Sequence, residues 1–539
     1  MTASTIWPRT VIARFVARRT VYSATFVALT FGFFAASKII GYVSVYPTAH
    51  DRVVAASLLV NNIGIKALFG TPYHAETVIG YASWYGITMG VLLGSIWAYL
   101  IATRTFRGEE AAGRWEMLLA GQTTPRWAAA NALIGLGVSL VVFYALAAAS
   151  LIIIGQVHGV DYAVGPALYF ALVAVAPAVM FTAVGAFASQ IMPTRARAAG
   201  LATAIFGASY LIRAAGDITS AHWLLNVSPF GWVAQLQPLF DPRPLWLLPI
   251  AALTLALSAA SIYLAGNRDL GASFFADRDT AAARTGLLRG PLTAAVRFTR
   301  GSMVSWFAGM AVFLAFFGGL TNTASQAFGS SSSAQQFLDH LAKASDVGAK
   351  AFLGLAFFMF MTVLMAYVAS AVGSMRSDEA DGTLDNLLVR PVSRQRWLWG
   401  RIGLIVAAVL AAGTLSSVVV WLSMGTNHIV ALSDLFIGGI NTIPAALFAL
   451  GIGIFTFGVL PRLTTVVTYG VIAWSFLIEM LSSGLNLNHW LLDSSVFNHI
   501  AFAPAADPKW TAAAILVLLG ALLTAIGAVA FNRRDLANE

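Results

Sequence analysis

The chain has 539 residues, 58% of them hydrophobic and only 10% charged, with a net charge of +9 and no cysteine. Soluble domains carry about 25% charged residues, so a water-soluble fold is excluded, and so are disulfides and thiolate metal sites. The basic excess is spread through an apolar chain, as positive-inside charge is in a membrane protein, which argues against a nucleic-acid partner.

Twelve apolar runs follow in chain order, each near the ~20 residues a bilayer requires. In the first half they lie near 20–45, 78–103, 127–155, 163–189, 197–215 and 244–266. In the second they lie near 302–321, 350–374, 397–423, 431–458, 463–482 and 509–531. Backbone groups at membrane depth must satisfy one another, so these runs predict helices. Lys and Arg gather in every second connection, which predicts a multi-pass protein with both termini in the cytosol. Pro8 predicts a short helix before the first run, with Ile12, Phe15 and Val16 on one face and Arg14 and Arg18 on another. Residues 290–301 repeat this pattern, so both predict amphipathic helices on the inner membrane surface. The reading is an all-α polytopic membrane protein with two six-helix halves, 1–270 and 302–539, joined by a cytosolic segment, 271–301. An even number of spans in each half predicts parallel repeats about an axis along the membrane normal.

The strongest signal is a polar sentence written twice. RGEEAAGRWEMLLAGQTTPRW runs from Arg107 to Trp127, and RSDEADGTLDNLLVRPVSRQRW from Arg376 to Trp397. Arg107 matches Arg376, Glu109 matches Asp378, Glu110 matches Glu379, Gly113 matches Gly382 and Glu116 matches Asp385. The halves also share their closing triplets, Arg268-Asp269-Leu270 and Arg534-Asp535-Leu536. A helix is expected to begin near Arg107 and Arg376, with carboxylates in its first turns where they suit the helix dipole. Gly113 and Gly382 are expected to admit the close approach of another backbone. Such a helix would fit a cleft in a cytosolic partner. A merely solubilising loop explains the charges but not the acids and glycine recurring in register.

The pattern E-x-x-G-T-x-x-x-L-L-x-x-P-V-S-R resembles the inner-loop signature of ABC type-2 exporter permeases. The second copy matches it at Glu379, Gly382, Thr383, Leu387, Leu388, Pro391, Val392, Ser393 and Arg394. The first keeps Glu110, Gly113, Leu118 and Leu119 but has Arg114 for the threonine. The twelve-span fused form resembles the polyketide-antibiotic (tetronasin-type) exporter permeases. The resemblance implies a multidrug exporter in a bacterial plasma membrane. Its loop helices would be coupling helices, docked on two copies of a cytosolic ABC ATPase. ATP and magnesium would bind that partner, since this chain has no G-x-x-x-x-G-K-[ST] phosphate loop.

Charges inside spans are expensive and usually paired. Arg213 and Glu479 occupy matched positions in the fifth span of each half, which makes them a candidate outer gate. A candidate path for a hydrophobic substrate runs along Trp84, Tyr85, Met89, Phe206 and Tyr210 in the first half. In the second half it runs along Phe357, Phe358, Tyr469, Trp474 and Phe476. An ion-gradient transporter also fits twelve spans, but the middles of these spans are almost free of acids. An intramembrane enzyme is disfavoured, because neither H-E-x-x-H nor G-x-S-x-G occurs.

Overall fold

The structure is a computed structural model, describing residues 10–61, 63–120, 123–269, 271–272, 290–329, 348–389, 392–426, 428–482 and 488–536. Every regular element among them is helical, and twelve helices are long and apolar enough to cross a membrane. The chain divides into two compact units, Met1–Ala281 and Ala282–Glu539, with six spans in each.

The first unit holds spans Val11–Val45, Val78–Ala111, Pro125–Gly155, Val164–Ile191, Arg195–Ile218 and Pro244–Ala265. The segment between the first two spans forms the helices Ala49–Asn61 and Ile63–Phe69. That between the fifth and sixth forms the short helices Leu224–Val227 and Pro229–Ala234. The second span is interrupted by two π-helical turns, Gly90–Gly94 and Arg104–Gly108.

The second unit holds spans Thr293–Thr321, Ala349–Ala380, Arg394–Ser423, Leu432–Val459, Pro461–Glu479 and Trp510–Arg533. Its fourth span is broken at Thr442, into Leu432–Asn441 and Ile443–Val459. Packing is the same in both units: the first span lies along the third, the second along the fourth, and the fourth along the sixth. In the second unit the last contact is made by glycines. A Cβ at Gly451 or Gly458 would strike the carbonyl of Gly520 or Gly527. Lipid tails supply no hydrophobic force between helices, so close backbone contact through small residues is what joins them.

The basic segments expected to lie as separate surface helices are instead continuous with their spans. Val11–Val45 is one helix of 35 residues and Pro291–Gly329 one of 39. Pro8 and most of the 271–301 connection lie outside the described residues.

Candidate functional site: two clasped loop helices

In each half the second span runs past its apolar stretch and ends in the acidic motif. Arg107, Glu109 and Glu110 occupy the last turns of Val78–Ala111, and Arg376, Asp378 and Glu379 those of Ala349–Ala380. The motif therefore closes a helix instead of opening one, which corrects the expectation from the sequence. At a C-terminal end the macrodipole disfavours anions. Each carboxylate must find a cation, and each does.

Glu110 is gripped by Arg268, whose two terminal nitrogens donate to its two oxygens at 2.7 Å each. Arg107 stands 3.1 Å away, and the Gly271 N–H donates at 2.8 Å. The second half repeats this arrangement. Arg534 donates from both terminal nitrogens to Glu379, the second at 2.9 Å, and Arg376 lies at 3.3 Å. The Glu110 side chain is 7% exposed and that of Glu379 is 0% exposed. Bidentate geometry and burial make these strong, directional contacts. Arg268 also donates to the Gln190 side chain at 2.9 Å, and Arg534 to the Phe457 carbonyl at 3.1 Å. Gln190 and Phe457 belong to the fourth spans. The clasp thus knits the ends of the second, fourth and sixth spans of each half.

The neighbouring acids are held differently in the two halves. Glu109 accepts from Arg19 of the first span at 2.8 Å and from Arg114 of the loop. Asp378 accepts from Arg401 of the third span. Matching Trp127 to Trp397 puts Asn131 at the position of Arg401, so the first half draws its cation from elsewhere.

Past the clasp the chain turns at Gly113 and Gly382, both at φ 69°. Their N–H groups donate to the carbonyls of Glu110 and Glu379 at 2.9 and 3.1 Å. A left-handed turn ending a helix favours glycine. Among the described residues other than their chain neighbours, no atom lies within 4 Å of a Cβ built on either residue. The left-handed turn by itself calls for glycine at both places. Short helices follow, Arg114–Leu119 and Thr383–Leu388. Trp115 and Leu384 plug inward at matched positions, 8% and 0% exposed. Glu116 and Asn386 face outward, as do Met117 at 71% and Val389 at 89% exposure. Asp385 is half-buried. The acids expected to reach a partner are therefore mostly internal ties. The exposed surface is the loop helix beyond the glycine.

At the other end of the first half, Arg213 is engaged inside its own unit. It lies 3.1 Å from Asp217 and donates to the carbonyls of Lys66, Ala67 and Leu68 at 3.1–3.4 Å. Those are last-turn carbonyls of Ile63–Phe69, where a helix runs short of internal donors; the Lys66 carbonyl also accepts the Gly70 N–H at 2.9 Å. Arg213 thus acts as a buried C-terminal cap. The sequence reading missed Asp217, although its i+4 spacing from Arg213 was the available signal. Glu479 sits half-buried near the end of the corresponding span of the second unit.

Of the aromatic path residues, Trp84 and Tyr210 line a cavity beside Arg213. Tyr85 and Met89 are buried in the first-half core, and Phe206 packs against Phe181 and Phe230. In the second half Phe357 and Phe358 are buried, the latter stacked on Phe502 at 4.8 Å. Tyr469 and Trp474 are exposed, at 39% and 43%, and Phe476 is half-buried.

The fold and this site define a class: a helical polytopic membrane protein of two repeated six-span halves, each offering a loop helix pinned by a buried Glu–Arg clasp. A family model described as "Multidrug efflux system permease Rv1217c, C-terminal domain" matches residues 16–264 and 288–532. The chain belongs to that family of multidrug efflux permeases. It is 28% identical over 506 residues to the multidrug efflux system permease protein Rv1217c of Mycobacterium tuberculosis (strain ATCC 25618 / H37Rv), covering 91% of this chain and 88% of that protein.

Proposed function

We propose that this chain is the membrane subunit of an ATP-driven exporter that moves hydrophobic compounds, drugs or antibiotics among them, out of a bacterial cell. The observation that carries the reading is the pair of loop helices. Each is exposed at its tip, left-handed at its glycine and clasped at its base to three spans. That is a rigid lever, suited to passing a push from a soluble motor into a helix bundle. Two levers call for two ATPase copies, with ATP and magnesium bound in those partners. Their closure would switch the substrate path from inward-facing to outward-facing. The plasma membrane, with both termini in the cytosol, places the levers on the ATP side. Tetronasin-type polyketides are a candidate cargo on the motif resemblance.

The test is to co-express the chain with a candidate ATPase and to measure complex mass, ATP hydrolysis and dye efflux. One chain with two ATPase copies, and efflux lost on combining Glu116→Lys with Val389→Asp, supports the reading. Efflux that persists without ATP under an ion gradient overturns it in favour of secondary transport.

A further inference from the structure

The first-half cavity is built for a ligand. Its empty space, open mouth and adjoining solvent included, is about 770 Å³. It lies between the second span, the end of the fifth and the two connecting segments at that end of the half. Trp84, Tyr210, Phe230 and Phe240 give it flat apolar walls.

Its polar groups divide into two sets. Arg213 and Asp217 satisfy each other, and Thr71 donates to the free oxygen of Asp217 at 2.9 Å. This set pins the wall. Trp84 Nε1 donates to the Gly70 carbonyl at 2.8 Å, and Thr88 Oγ1 to that of Phe69 at 2.7 Å. The second set is unused. The Ser83 hydroxyl, on a residue 5% exposed, and the Gln237 side-chain amide both line the cavity. Among the described residues neither has a hydrogen-bond partner. Gln237 is half-buried and Ser83 sits on a buried turn of the wall, so both side chains are free to meet a polar group that enters the cavity. The backbone agrees. Gln237 holds φ at 39°, and His74, stacked on Phe240 at 3.7 Å, holds 53°. Such conformations persist where surrounding structure enforces them, and they concentrate at ligand clamps.

The geometry points to a binding site in the first half for an uncharged, flat-faced apolar compound carrying one or two hydroxyl or carbonyl groups. Aromatic walls take the flat faces, and Ser83 with Gln237 takes the oxygen. Net charge is selected against. The charges in the wall are already paired, so an ion would be desolvated there without compensation. The inference rests on the exporter reading for its role as a cargo site.

The experiment is photolabelling of the purified full chain in nanodiscs with three benzophenones: 4-(hydroxymethyl)benzophenone, the 4-carboxylate and the 4-trimethylammoniomethyl form. The neutral probe should label peptides from 69–91 and 225–240 at least fivefold more than either ion does. Gln237→Ala should reduce that labelling severalfold, and Ser83→Leu should abolish it, at unchanged thermal unfolding. If Ser83→Leu unfolds the chain, Gln237→Ala alone decides. Scattered labelling, equal labelling by the ions, or labelling unaffected by Gln237→Ala overturns the site. Dye efflux in cells is measured in parallel. Efflux with scattered labelling removes the site alone, whereas localised labelling without efflux removes the exporter reading and leaves a ligand site.

Discussion

Replacing Glu379 by Gln keeps the shape of the side chain and removes its charge. In the wild-type chain the carboxylate is wholly enclosed, with Arg534 on both oxygens and Arg376 at 3.3 Å. The amide retains one acceptor and turns two donors toward a guanidinium that is itself only donors. Breaking a buried pair from one side leaves an uncompensated charge and costs about 3–5 kcal/mol. A half of roughly 250 residues loses about 2–4 °C per kcal/mol, so unfolding should fall by on the order of 10 °C. The assay is thermal unfolding of purified protein in a double-mutant cycle with Arg534→Gln. The double variant should be less destabilised than the sum of the singles by about 2 kcal/mol, because the second change removes the orphaned charge. Glu116→Gln, on the exposed tip, should move unfolding by less than about 0.5 kcal/mol. Additive singles, or an equal loss at Glu116, would refute the clasp.

Three further outcomes follow from the same geometry. Gly382→Ala forces a side chain into a left-handed turn and should cost about 1–2 kcal/mol, read as a lower unfolding temperature, with Gly382→Asn milder. Arg213→Gln removes the cap on Ile63–Phe69, so hydrogen exchange over 63–71 should quicken at least tenfold. Gly458→Leu overpacks the crossing with Gly527 and should cost about 1–3 kcal/mol or more, whereas Gly403→Leu, which has open space around it, should be tolerated.

Twelve spans were legible because bilayer length and self-satisfied backbones allow so few alternatives. The repeated motif was legible as a repeat and misread as local structure. Apolar periodicity fades at Arg104, so the second span was ended near 103 when its helix continues to Ala111. Only knowing that the acids sit at a helix end shows why arginines must meet them. The arginines themselves were visible: Arg268 and Arg534 stand 158 and 155 residues after the glutamates they bind. Their recurrence at nearly equal separation was a contact signal read only as a closing signature. Trp84 and Tyr210 reached a cavity while Tyr85 and Met89 went into the core, a distinction of helix face that composition does not carry.

The 158 residues between Glu110 and Arg268 also set a delay in the protein's manufacture. At about 5–20 residues per second, the ribosome finishes Glu110 roughly 10–30 s before the arginine that closes on it. For that interval Glu110 has only Arg107, one turn back on its own helix, beside it, and the two-pronged grip that ties the second span to the sixth has not been made. A first half that stalls before residue 268 lacks that tie, so the ends of its second and fourth spans are left without the arginine that joins them.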